Sequence, residues 1–171
     1  MKKTKFILAA IIILCSATVF SQNKKAKKNA DKETLFFRYE IECMGVGTAG
    51  TYLVKVWSYS KKPEVALEQA KKNAIHGIIF KGFGASNACR QAQKPMATSP
   101  TLEHEQAGFF KTFFKNGGDY MKYVATSEPN SRDVLKIGKE YKVGVVVSIF
   151  KDNLRKDLET AGILKGLNTG F

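Results

Sequence analysis

The pattern that most limits the fold is alternation with a period of two. Between Thr34 and Cys43, the residues Leu35, Phe37, Tyr39, Ile41 and Cys43 share one face, and Phe36, Arg38, Glu40 and Glu42 share the other. Side chains of a strand point to opposite faces in turn, so this run reads as a half-buried strand with Cys43 on its core face. Glu140 to Lys151 repeats the pattern, with Tyr141, Val143, Val145, Val147 and Ile149 on one face. Thr51 to Ser60, rich in Val, Tyr and Trp, reads as a further strand. Strands with one apolar face need a layer to cover that face.

The segment after Pro63 supplies such a layer. Pro suits the first helical position. Leu67, Ala70, Ala74 and Ile78 recur at helical spacing, with Ala66, Ile75 and Ile79 beside them. Glu64, Glu68, Gln69, Lys71 and Lys72 take the outer face, and His76 falls on or near it. Early acids and later lysines suit the helix dipole. The alanines allow close packing on a sheet, and Gly82 and Gly84 end the helix. Residues 84–100 read as a long loop, a place where function can sit. Ser99-Pro100 opens a second helix over about 100–116 carrying Leu102, Phe109, Phe110, Phe113 and Phe114, stopped by Asn116-Gly117-Gly118. Tyr120 to Ser127 reads as a strand and Glu128 to Ser131 as a turn. After the last strand, Asp152 or Asn153 caps a short helix through Thr160 with Leu154 and Leu158 inward. Lys165 to Phe171 reads as a frayed end. The expected order is ββααββα: an α+β domain over 34–171, with a four-stranded antiparallel sheet and helices on one face.

Two segments precede that domain. Lys2, Lys3 and Lys5 form a positive start, and an apolar run from Phe6 to Leu14 continues weakly to Phe20. That length fits the apolar core of a secretory signal peptide and is short of the ~20 strongly apolar residues of a membrane span. Val19-Phe20-Ser21 offers small enough residues for cleavage near Ser21. The expectation is a signal peptide over 1–21 and a periplasmic or secreted product with no transmembrane segment. Cys15 follows Ile12-Ile13-Leu14, which is not a lipidation motif, so it reads as one more apolar residue of the leader. Residues 22–33 are polar and lysine-rich and read as a flexible basic tail.

Export shapes the remaining readings. Cys43 and Cys89, an even pair in an oxidising compartment, are candidates for one disulfide, with two buried thiols as the alternative. The chain carries +13, and removing Lys2, Lys3 and Lys5 leaves 25 basic against 15 acidic side chains, a surplus of +10. Such a surplus favours anionic partners at long range. Outside the cytoplasm these are lipid headgroups, lipopolysaccharide, anionic glycans and stray nucleic acid; nothing points to specific nucleic-acid binding.

Gly45-Val46-Gly47-Thr48-Ala49-Gly50 matches G-x-G-x-x-G after a strand. Dinucleotide binding needs a helix next, because the pyrophosphate sits on its N-terminus, and here a strand follows. The glycines therefore read as a hairpin loop and no cofactor is expected. His76 and His104 are the two histidines, and nothing in their spacing with Cys43 and Cys89 makes a metal set. Cys89 with His104 would supply a thiol nucleophile and a base, but the pair lacks any orienting signature. The best cue for an enzyme such as a hydrolase is the long loop around Cys89. Arg38, Lys55, Trp57 and Tyr59 are candidates for a mixed aromatic and basic binding surface of the kind that stacks on sugars or bases. The competing reading, which the residue type favours, puts Trp57 in the core.

The run from Tyr52 to Phe83, above all Pro63-Glu64-Val65-Ala66-Leu67-Glu68-Gln69-Ala70-Lys71-Lys72-Asn73-Ala74-Ile75, resembles the strand and alanine-rich helix unit of the Lpp20 and FlgT-like bacterial envelope proteins. The resemblance implies a small exported α+β domain, an accessory part of an envelope assembly, without catalysis. The missing lipidation motif departs from many members of that group. The leading expectation is a non-enzymatic envelope protein that interacts with a protein partner. The alternative is a binding module for anionic glycan, lipopolysaccharide or lipid, and the third is a hydrolase with its site near Cys89.

Overall fold

The structure is a computed structural model that describes residues 24–25, 28–29, 37–48, 50–126 and 132–166. The proposed leader 1–21, residues 34–36 of the first strand, the turn at 128–131 and residues 167–171 lie outside the described residues. So does the basic tail, apart from Lys24, Lys25, Lys28 and Asn29, which are helical where composition suggested no fixed structure.

Strand β1 (Tyr39–Val46) pairs antiparallel with β2 (Thr51–Ser60). The loop between them turns through Gly50, held at φ +82°, where a side chain would meet the Asp152 carboxylate. The glycine-rich run is thus a hairpin loop, and a strand follows it. Helix α1 (Pro63–Phe80) comes next, then two short helices, α2 (Leu102–Glu105) and α3 (Ala107–Phe113). A 3-10 turn at Asp119–Tyr123 leads into β3 (Val124–Thr126), β4 (Arg132–Ile137), β5 (Glu140–Phe150) and α4 (Lys151–Thr160). The fold is α+β.

The sheet has five strands where four were expected. Its order is β1-β2-β5-β3, with β4 also paired to β5, and every pairing is antiparallel. Both β3 and β4 lie along the same side of β5, facing its Ser148 end and its Val143 end respectively. Tyr120–Ser127 therefore does not form one strand. Gly118 leaves the chain in a tight turn that buries Tyr120 and Tyr123 by 3-10 winding, and the strand begins at Val124. Gly138, at φ +61°, opens the two-residue β4–β5 turn, where glycine relieves the left-handed backbone. The expected single helix over 100–116 is broken at Gln106, which leaves helical geometry. Helix α4 starts directly off β5 at Lys151, without a side-chain cap from Asp152 or Asn153.

The alternation reads out on the inner face of the sheet. Val54, Val56, Val143, Val145, Val147 and Ile149 are almost fully buried. Against them lies α1, whose Ala66, Ala70 and Ala74 are fully buried and let the helix axis approach the valines. Gly77 does the same for β1, since a side chain there would press on Ile41 and the Tyr39 ring.

Helix α1 is covered on its other side too. Phe110 packs edge-on against Phe80 with centroids 5.0 Å apart, and Phe114 and Tyr120 extend that layer. Gln69, Lys72, Asn73 and His76 are consequently buried, where helical spacing had put Gln69, Lys72 and His76 on or near a solvent face. Lys72 lies with its ammonium 5.7 Å over the Tyr120 ring, and burial pulls its pKa down to about 8.

The loop after α1 is ordered by its own backbone. Phe83 and Gln93 exchange two N–H···O=C bonds of 2.9 Å, and Ser86 and Cys89 close a tighter turn inside. Gly82, at φ +67°, sits where any side chain would strike the Gln93 carbonyl. Cys89 is brought onto Cys43 as a disulfide pair, with Cα atoms 6.0 Å apart, a separation that suits the bond. It ties the loop to β1 across 46 residues. A loop of that length closed in the unfolded chain corresponds to about 4 kcal/mol of stabilisation. Replacing both cysteines by Ala should lower unfolding free energy by about 2–4 kcal/mol, read by denaturant melts; an unchanged midpoint would show that the pair does not bridge.

Candidate functional site

Three places gather chemically capable side chains: the outer sheet face, a buried histidine, and a cleft beside the disulfide.

The outer face collects the residues of opposite parity to the core. Arg38, Glu40 and Glu42 are exposed next to β2, whose Lys55, Trp57 and Tyr59 are half-buried by one another. Trp57 is therefore not a core residue. Its cross-strand partner is Gly144, and a side chain there would stand 2.8 Å from the indole ring, so the ring packs against bare backbone. Lys55 and Lys142 place their ammonium groups 4.6 and 4.9 Å from the ring centroid, and the Arg38 guanidinium lies 4.5 Å over Tyr59. The four candidate surface residues are brought together.

That surface is not basic. Arg38 pairs with Glu140, Lys55 with Asp133, and Lys142 with Glu40 at 2.7 Å. The Trp57 indole N–H donates to Glu42 at 3.2 Å, and the Tyr59 hydroxyl donates to Glu40. The bonds from Lys142 and then Tyr59 hold the Glu40 carboxyl below its usual range. Exposed ion pairs of this kind contribute little to stability each, but together they neutralise the patch. Leu135 and Ile137 of β4, each about half exposed at 51%, extend it as an apolar margin.

His76 sits between α1, β1 and α2. Its Nδ1 lies 2.7 Å from the Tyr39 hydroxyl and its Nε2 lies 3.1 Å from Glu103 Oε1. One neutral tautomer satisfies both contacts: Tyr39 donates to Nδ1, and Nε2–H donates to Glu103. Phe37 stacks on the imidazole at 3.5 Å and Phe80 lies 4.8 Å away. Burial, helped by Lys81, pulls the His76 pKa down to about 3. A carboxylate–imidazole–hydroxyl line is the form of a proton relay. Here burial holds the phenol far above its usual range, so Tyr39 is not poised as a nucleophile. Helical spacing gave no hint of this cluster, because Phe37 and Glu103 come from distant segments. His104 is exposed, and Cys89 is engaged by Cys43 rather than by a base. Among the described residues, no three His, Cys, Asp or Glu side chains converge to hold a metal ion, and no helix is long and apolar enough to cross a membrane.

The third place is a cleft of about 550 Å³ between the ordered loop, β2 and the start of α4. Tyr52 and Phe83 form an aromatic wall, edge-on with centroids 5.3 Å apart. The Cys43–Cys89 pair, Arg90, Gln93 and Lys151 complete its walls.

No protein-family model, no curated protein and no solved structure matches this chain.

The histidine makes a pH test. The unfolded imidazole takes up a proton near pH 6.5, whereas the folded one stays neutral to about pH 3, so stability is lost as pH falls through that window. Burial holds the Glu103 carboxyl above its usual range, which acts in the opposite sense at the acid end. Between pH 7 and 5, the wild type should lose about 2 kcal/mol to His76 alone. His76→Gln should show a correspondingly shallower slope in chemical denaturation across that range. Equal slopes would mean that His76 takes up its proton in the folded protein over the same pH range as in the unfolded chain.

Proposed function

We propose that this chain is a non-enzymatic, exported envelope domain that docks a protein partner on the open outer face of its sheet. The observation that carries the reading is the composition of that face. Its centre is the Trp57 ring, its margin is Leu135 and Ile137, and each of its three cations Arg38, Lys55 and Lys142 is paired with a carboxylate. A half-buried tryptophan ringed by polar groups is the arrangement of an interface anchor. A neutralised patch offers little attraction to a polyanion, so at this face a protein is favoured over an anionic glycan or lipid surface. The leader-like residues 1–21 and the strand–helix resemblance to envelope accessory proteins support export to the periplasm or beyond.

Site-specific photo-crosslinking in the native envelope tests the reading. A crosslinker at Glu42 or Leu135 should yield a discrete adduct that Trp57→Ala reduces at least tenfold. The same crosslinker at exposed Lys111 on α3 should not yield it. Equal labelling at Lys111, or none at either face position, would contradict docking through the sheet.

A further inference from the structure

The cleft beside the disulfide is distinct from the outer face, and its chemistry points to a different ligand. Ten of the described residues line it, two of them cationic and none acidic. Arg90 is exposed and has no ion-pair partner among the described residues. Lys151 lies with its ammonium 5.3 Å over the Tyr52 ring and also bonds the neighbouring Asp152 carboxylate at 2.5 Å, which offsets part of its charge. Arg90 therefore leaves the cleft a net cationic rim. The wall opposite is aromatic. The Tyr52 hydroxyl donates to the Gln93 side-chain carbonyl, and the Gln93 side-chain N–H donates to the Lys94 carbonyl, so this wall is set in place.

The loop that bears Arg90 is also fixed before any ligand arrives. Its ends are joined by the Phe83–Gln93 pair of backbone bonds, Ser86 Oγ donates to the Cys43 carbonyl at 3.0 Å, and Cys89 is held by Cys43. A pre-formed loop lowers the ordering cost of binding. The cleft volume falls within the roughly 300–1,000 Å³ of small-molecule sites, which combine apolar walls with a few placed polar groups.

We propose that this cleft binds a small amphipathic anion: an apolar chain or ring against Tyr52 and Phe83, and a phosphate or carboxylate head at Arg90 and Lys151. Guanidinium favours such oxyanions because its planar fork meets two oxygens at once. The head group has two sources with the same chemistry, an anionic lipid and a free ester.

The mature chain with its disulfide intact, titrated with octyl phosphate below its micelle concentration, tests this by calorimetry. Saturable one-to-one binding is expected, at least tenfold tighter than that of neutral octanol. Arg90→Glu, at an exposed position, should weaken it at least tenfold, as should Arg90→Ala combined with Lys151→Ala. Lys115→Ala, outside the cleft, should leave it unchanged. Adsorption to phosphatidylglycerol vesicles that octyl phosphate displaces would identify a lipid headgroup as the source; octyl phosphate binding without adsorption would identify a free ester. No saturable binding, equal affinity for octanol, or unchanged affinity in Arg90→Glu would overturn the proposal. Trp57→Ala should not affect this binding, so its outcome is separable from that of docking on the outer face.

Discussion

The contact on which the rest of the molecule depends is that of α1 with the valine row of β2 and β5. Three fully buried alanines meet six nearly fully buried valine and isoleucine side chains. Small residues bring the helix backbone close, and close packing is where dispersion and burial add up. Each buried valine contributes on the order of 1.5–3 kcal/mol. The helix is then enclosed from behind by the phenylalanine and tyrosine layer of α3 and the 3-10 turn. With those helical elements spent on one side, the opposite sheet face is left to cover itself. It does so with Trp57 packed against Gly144 and a lattice of ion pairs among the described residues.

The strands and α1 were legible because their signals are local. Period two in β1 and β5, and alanine spacing after Pro63, need no knowledge of partners. What failed depended on distant segments. Gln69, Lys72 and His76 look solvent-facing along the helix alone, and become buried when Phe110, Phe114 and Tyr120 arrive from forty residues on. Tyr120–Ser127 reads as a strand, but the two glycines before Asp119 permit a tighter 3-10 path over Asp119–Tyr123. The β4 strand, Arg132–Ile137, has no counterpart among the sequence expectations: it carries charge on both faces and gains its ladder from β5.

Trp57 shows a signal that was present and outweighed by residue type. It shares parity with Lys55 and Tyr59, whereas Val54, Val56, Ser58 and Ser60 take the core side. Parity within the strand decides the face, and hydrophobicity of one side chain does not. The disulfide pair was legible as a possibility from cysteine number, but its closure required the backbone turn of the 83–93 loop. The cleft was not legible at all: Tyr52, Phe83, Arg90 and Lys151 belong to three separate elements, and nothing in their spacing joins them. The basic surplus expected to mark a binding surface is instead absent from the aromatic face, where each cation has a carboxylate.

The central claim is that α1 and the inner strands form one cooperative unit around which the outer layers assemble. Native-state hydrogen exchange read by mass spectrometry tests it most directly. Amides of 52–59, 66–79 and 143–149 should exchange last and together, at the rate of global unfolding, with α2 and α3 exchanging earlier. Exchange of the α1 amides well ahead of β2 and β5, or at the pace of α3, would contradict the account.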